Sequence, residues 1–140
     1  MEGLGNHYSD LARRLLEYIH DETSDSLYYQ ELAMQAPDAR AKQLFTEFAE
    51  DEAKHAENFK AVYRQITGQE PKIGMVPPPQ IPPYCEAIKQ RIMAESGDFV
   101  KYIEEHLNVH DRELHALFLE TAAIENRHGL RLTTLLCGVK

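Results

Sequence analysis

Six residues of metal-ligand type stand in two matching sets, Glu22, Glu52 and His55, then Glu95, Glu125 and His128. Adding 73 to each number of the first set gives the second. Each set contains a Glu-x-x-His pair, whose carboxylate and imidazole are neighbours on one helix face because residues three apart share that face. Four carboxylates gathered in a core without counter-charge would cost many kcal/mol in desolvation and mutual repulsion, or would take up protons. Metal cations remove that cost. Four carboxylates with two neutral imidazoles suit two divalent ions from the middle of the first transition row, iron or manganese rather than zinc, which prefers fewer ligands and often sulfur. Without metal, the same six residues would form a protonated or salt-bridged polar layer in an ordinary helical bundle.

The elements that must position these groups follow from the apolar periodicity, which is helical throughout and nowhere alternates with period two. Helices are expected over about Ser9–Ala36, Asp38–Thr67, Pro83–Asn108 and Asp111–Leu136. Pro37 disfavours helical backbone at Ala36, and Gly68 and Gly138 stand where a left-handed helix terminus favours glycine. Ser9 and Asp38 suit N-caps, and Pro82 and Pro83 suit a first turn. The 73-residue offset also pairs Asp25 with Asp98, Tyr29 with Tyr102, Leu44 with Leu117, Phe45 with Phe118 and Ala49 with Ala122, so the chain reads as two copies of one helical hairpin.

Glu22 and Glu52 are equally far from Pro37, and Glu95 and Glu125 are equally far from His110. Folding each hairpin at those points brings its two carboxylates to one height, about 22 Å from the turn at 1.5 Å per residue. They interrupt the apolar stripes, which are Leu11, Leu15, Ile19, Tyr29, Ala33 and Phe45, Phe48, Phe59, Val62, Ile66 in the first hairpin. In the second they are Ile88, Ile92, Phe99, Tyr102 and Leu114, Phe118, Thr121, Leu132, Leu135. Between the hairpins lie residues 68–83, with six of the seven prolines. As extended chain at roughly 3.1 Å per residue this connector reaches about 50 Å, more than the roughly 40 Å of a 27-residue helix. One long crossover is the connectivity of a ferritin-like four-helix bundle.

The length of 140 residues fits a single domain, and the net charge of −8 argues against nucleic acid or an anionic membrane surface as partner. No stretch approaches the roughly 20 apolar residues of a membrane span, and residues 1–10 do not pair a basic segment with an apolar run, so a soluble cytoplasmic protein is expected. Cys85 and Cys137 are 52 positions apart and form no Cys-x-x-Cys pair, so each is expected to be a lone thiol.

On these residues the chain resembles the ferritin-like di-iron carboxylate proteins of the rubrerythrin type, over about Leu11 to Leu136. One Glu from each of two helices and a Glu-x-x-His from each of the other two is the ligand scheme of that superfamily. The resemblance implies that Glu52 and Glu125 bridge or chelate two iron ions, that Glu22 and Glu95 complete the shells, and that His55 and His128 each serve one ion. Manganese or a mixed pair would fit the same ligands. It further implies a labile carboxylate one turn after the third-helix glutamate. That position is Asp98, one methylene shorter than the glutamate usual there, while its repeat mate Asp25 reads either as a solvated acidic residue or as a carboxylate in a similar part. Tyr29 and Tyr102 correspond to tyrosines that hydrogen-bond ligand carboxylates in the family, and plain core packing is the other reading of them. His7, His20, His106, His110 and His115 have no metal spacing and are expected to be exposed or simply hydrogen-bonded.

The activity implied is reduction of hydrogen peroxide or dioxygen by a homodimer. Electrons would come from an external donor such as a rubredoxin-like protein, because the four cysteines of a rubredoxin-like domain are not present. Ferroxidase or iron-storage chemistry is the alternative, and a metal-free interaction module is a third.

Overall fold

The computed structural model describes the backbone of residues 2–138 and the side chains of residues 8–138. Four helices follow one another, α1 (Glu2–Met34), α2 (Ala39–Thr67), α3 (Tyr84–Asn108) and α4 (Arg112–Thr133), with no strand among the described residues. They form two compact units, residues 1–80 and 81–140. Each unit contains one antiparallel helical hairpin.

In the first hairpin α1 closes with bonds from the Gln35 N–H to the carbonyls of Glu31 and Leu32. Pro37, which has no N–H to continue a helix, forces the break. Asp38 then caps α2, its side chain accepting from the Ala41 N–H at 2.8 Å. This cap satisfies one of the four N–H groups that a helix start leaves without an intrahelical partner. Gly68 ends α2 in the left-handed region at φ 69°, with its N–H donated to the Arg64 carbonyl. A side chain there would be strained, so glycine is the fitting residue. The interior of the hairpin holds Leu11, Leu15, Ile19, Tyr29, Leu32, Phe45, Phe48 and Phe59. Ser26, also buried, ties the two helices by donating its hydroxyl to the Ala49 carbonyl at 2.8 Å.

The second hairpin repeats this construction at the same offset. Asp111, the repeat mate of Asp38, caps α4 by accepting from the Glu113 and Leu114 N–H groups. The connection from α3 is only residues 109–111, which obliges the two helices to run antiparallel. Tyr29 stacks on Phe45 with ring centroids 6.3 Å apart, and Tyr102 stacks on Phe118 at the same 6.3 Å. The internal repeat is therefore present in the packing as well as in the residue types.

Residues 68–83 contain neither helix nor strand. Lys72, Ile73 and Gly74 share a surface cavity with Leu16, Glu17, His20 and Asp21 of α1. Since Thr67 is level with the start of α1, the connector has by then turned back and climbed roughly 14–21 Å along that helix at 1.5 Å per residue.

Four expectations need correction. Helix α1 begins at Glu2, so Ser9 lies inside it and is no cap. Helix α4 ends at Thr133 rather than Leu136, because the next turn tightens into bonds from Thr134, Leu135 and Leu136 to the carbonyls three residues back. Pro83 occupies the N-cap of α3 and does not enter its first turn. Most consequentially, Cys85 and Cys137 are not lone thiols, for a disulfide joins them across a Cα–Cα distance of 5.6 Å. It ties the first turn of α3 to the tail after α4, so the two cysteines far apart in sequence meet at the open end of the hairpin.

Candidate metal centre

Within the first hairpin the fold brings Glu22, Glu52 and His55 together. Each offers a ligand atom within 4.8 Å of the others'. Nδ1 of His55 stands 3.6 Å from Glu22 Oε1 and 3.4 Å from Glu52 Oε1. The second hairpin gathers Glu95, Glu125 and His128 in the same way, with His128 Nδ1 at 3.5 Å from Glu95 Oε1 and 4.0 Å from Glu125 Oε1. None of the six residues is more than 3% exposed. Helix geometry accounts for each cluster: the Glu-x-x-His pair lies on one face of the second helix, and the equal distance to the turn sets the other glutamate opposite it.

The electrostatics differ between the halves. Burial alone would raise the Glu95 carboxyl, but the hydrogen bond from His128, one shared with Glu125 and the charges of His128 and Arg91 outweigh it and hold Glu95 at about 2, below its ordinary 4.5. Arg91 supplies the fixed cation. Its Nη2 donates to Glu95 Oε1 at 3.3 Å, and the side chain is buried. Its repeat mate is Tyr18, so the first hairpin has no counterpart to this guanidinium.

Arg91, buried one turn before Glu95 on α3, is not among the residues that the sequence singles out. The signal available was position alone. Arg91 lies one turn before Glu95, on the face that carries the ligand. The apolar pattern instead favoured Ile92, which is only half-buried.

The remaining residues singled out in the sequence fall into place as follows. Asp98 is half-buried and pairs with Lys101 Nζ at 3.3 Å. Asp25 is half-buried rather than freely solvated, and a carboxylate oxygen of it lies within 4.8 Å of one from Glu52. The rings of Tyr29 and Tyr102 are fully buried in the aromatic stacks already described, and Tyr29 also meets Phe48 edge-on at 5.3 Å. His20 is half-buried beside the exposed Asp21. His106 and His115 bond to the carbonyls of His115 and Val109 at the α3–α4 turn, and His110 is exposed. The side chain of His7 lies outside the described residues.

The donor set fits iron. Two carboxylates and one imidazole in each cluster are hard-to-borderline oxygen and nitrogen donors, and the disulfide removes both sulfurs that would have favoured a softer ion. Two antiparallel hairpins, each burying two glutamates and a histidine, define an all-α carboxylate metalloprotein of the ferritin-like four-helix-bundle class. The sequence model of the Rubrerythrin family matches residues 15–136, and the chain belongs to that family. No curated protein and no solved structure matches it. No helix among the described residues is long and apolar enough to cross a membrane.

Proposed function

We propose that this protein is a di-iron oxidoreductase that reduces hydrogen peroxide or dioxygen with electrons from an external donor. The observation that carries the reading is the duplicated buried cluster of two glutamates and one histidine in a chain of the rubrerythrin family. Family membership implies a di-iron site, and the two buried clusters supply the ligand types that such a site needs. Glu52 and Glu125 would bridge or chelate the ions, Glu22 and Glu95 would complete the shells, and His55 and His128 would each serve one ion.

Two ferrous ions, when bound, supply the two electrons that reduction of one hydrogen peroxide to two waters requires. The chain's own residues do the rest. Its buried aromatic core excludes bulk water, which keeps ligand geometry fixed and side reactions low. Tyr29 and Tyr102 orient ligand carboxylates through their hydroxyls, a role that the rigid stacks on Phe45 and Phe118 make precise. Asp98, half-buried and steadied by Lys101, delivers protons to the departing oxygen. The electron donor is a rubredoxin-like protein, and the working form is a cytoplasmic homodimer.

The test is turnover. Iron-loaded, reduced protein given a rubredoxin-like donor and repeated peroxide pulses is expected to consume many equivalents of peroxide per bound iron pair. Oxidation that stops after the bound iron, followed by growth of a ferric mineral, would replace this reading with iron handling.

A further inference from the structure

The disulfide has no counterpart in the other half of the repeat. The positions that correspond to Cys85 and Cys137 in the first hairpin are Ala12 and Arg64. It therefore does not belong to the duplicated framework that builds the ligand clusters. Both cysteines are exposed. Cys85 is the second residue of α3, and Cys137 lies beyond the Thr134 C-cap of α4. The bond closes a ring of chain that contains Glu95, Glu125 and His128, and it does so at the end of the hairpin opposite the 109–111 turn.

Two properties decide whether a disulfide exchanges readily: access to one sulfur for an attacking thiolate, and stabilisation of the other as a leaving thiolate. Exposure provides the first. Position provides the second, because the N–H groups of the first turn of α3 and the positive end of its dipole favour a thiolate on Cys85. Glu86 in the same turn opposes this with one negative charge on an exposed side chain. Cys137 instead follows the negative end of α4, which disfavours a thiolate there.

We propose that the Cys85–Cys137 pair is a thiol–disulfide exchange site for a dithiol reductant. A thiolate of the reductant attacks Cys137 Sγ, the Cys85–Cys137 bond breaks, and Cys85 departs as the thiolate at the start of α3. The second thiol of the reductant then resolves the mixed disulfide on Cys137. Two electrons and two protons pass to the protein, leaving two cysteine thiols and an oxidised, disulfide-bonded reductant. Opening the ring frees the tail after α4 and the first turn of α3, while the capped turn at Asp111 stays closed. In a reducing compartment the open end of this hairpin is unclipped, and oxidation clips it again.

The test uses the full chain, metal-free and without denaturant, so its outcome is independent of the metal reading. Dithiothreitol at neutral pH is expected to convert the air-exposed protein to two alkylatable thiols in the native state. Glutathione should form its mixed disulfide at Cys137 about tenfold more than at Cys85, because the better leaving thiol is on Cys85. Reduction should raise amide exchange at least about tenfold in residues 84–88 and 130–137, leaving the 108–114 region unchanged, since local opening shows up as exchange. The variant Cys85→Ser should exchange like the reduced wild type without any reductant. Two free thiols in the air-exposed protein, a disulfide that yields only in denaturant, adducts confined to Cys85, or exchange that ignores reduction would each overturn the proposal.

Discussion

Replacing Glu52 with alanine is expected to lower iron affinity by more than about 100-fold, since even partners that only hydrogen-bond to metal ligands are worth 10–100-fold. Glu52 is fully buried, its carboxylate lies within reach of both Glu22 and His55, and it is the carboxylate expected to bridge. The metal-free protein should respond in the opposite sense. Removing one buried carboxylate relieves desolvation and repulsion, so the metal-free variant should melt no lower than the metal-free wild type. Iron content after desalting, with melting curves of both metal-free proteins, checks the two halves of this prediction. His20→Ala, at a half-buried histidine outside both clusters, should leave iron binding unchanged. Full iron content in the Glu52 variant would remove Glu52 from the centre.

The second large effect is expected at Arg91. Truncation to alanine leaves the buried Glu95 carboxylate without its guanidinium, and breaking a buried pair from one side costs about 3–5 kcal/mol. The acid limb of stability should move as well. In the folded protein Glu95 sits at about 2, below its ordinary 4.5, so it binds protons less tightly than in the unfolded chain. Its contribution is fully present above about pH 4.5 and is lost as pH falls through about 2. Without Arg91, one of the charges that hold Glu95 down is gone, and the acid loss should begin at higher pH. Urea unfolding of metal-free Arg91→Ala and wild type between pH 2 and 7 measures both the offset and the shift. Coincident curves would mean that His128 and Glu125 suffice to hold Glu95.

The legible part of this protein was whatever the repeat wrote twice. The six ligand-type residues, the helix caps at Asp38 and Asp111 and the aromatic pairs Tyr29–Phe45 and Tyr102–Phe118 all recur at one offset, and local helix geometry then brings the side chains of each hairpin together. The part that was not legible breaks the repeat. Arg91 stands opposite Tyr18, and no periodicity shows that a guanidinium in an amphipathic helix turns inward to meet a carboxylate one turn away. The disulfide depends on where the end of α3 meets a tail 52 residues later, a tertiary fact that spacing does not encode. Residue type alone does not decide between a solvated and a ligand-side Asp25, whereas its place three residues after Glu22 on the same face draws it toward Glu52. Helix ends were misplaced where the stop comes from tightened backbone bonds, as in α4, instead of from a glycine or proline.

The proposed di-iron function requires two iron ions held by the two buried clusters. Anomalous diffraction at the iron edge, on crystals of the iron-loaded protein, tests it most directly. Two irons per chain are expected, one beside His55 and the other beside His128. A single iron per chain, or iron away from both histidines, would contradict the proposal.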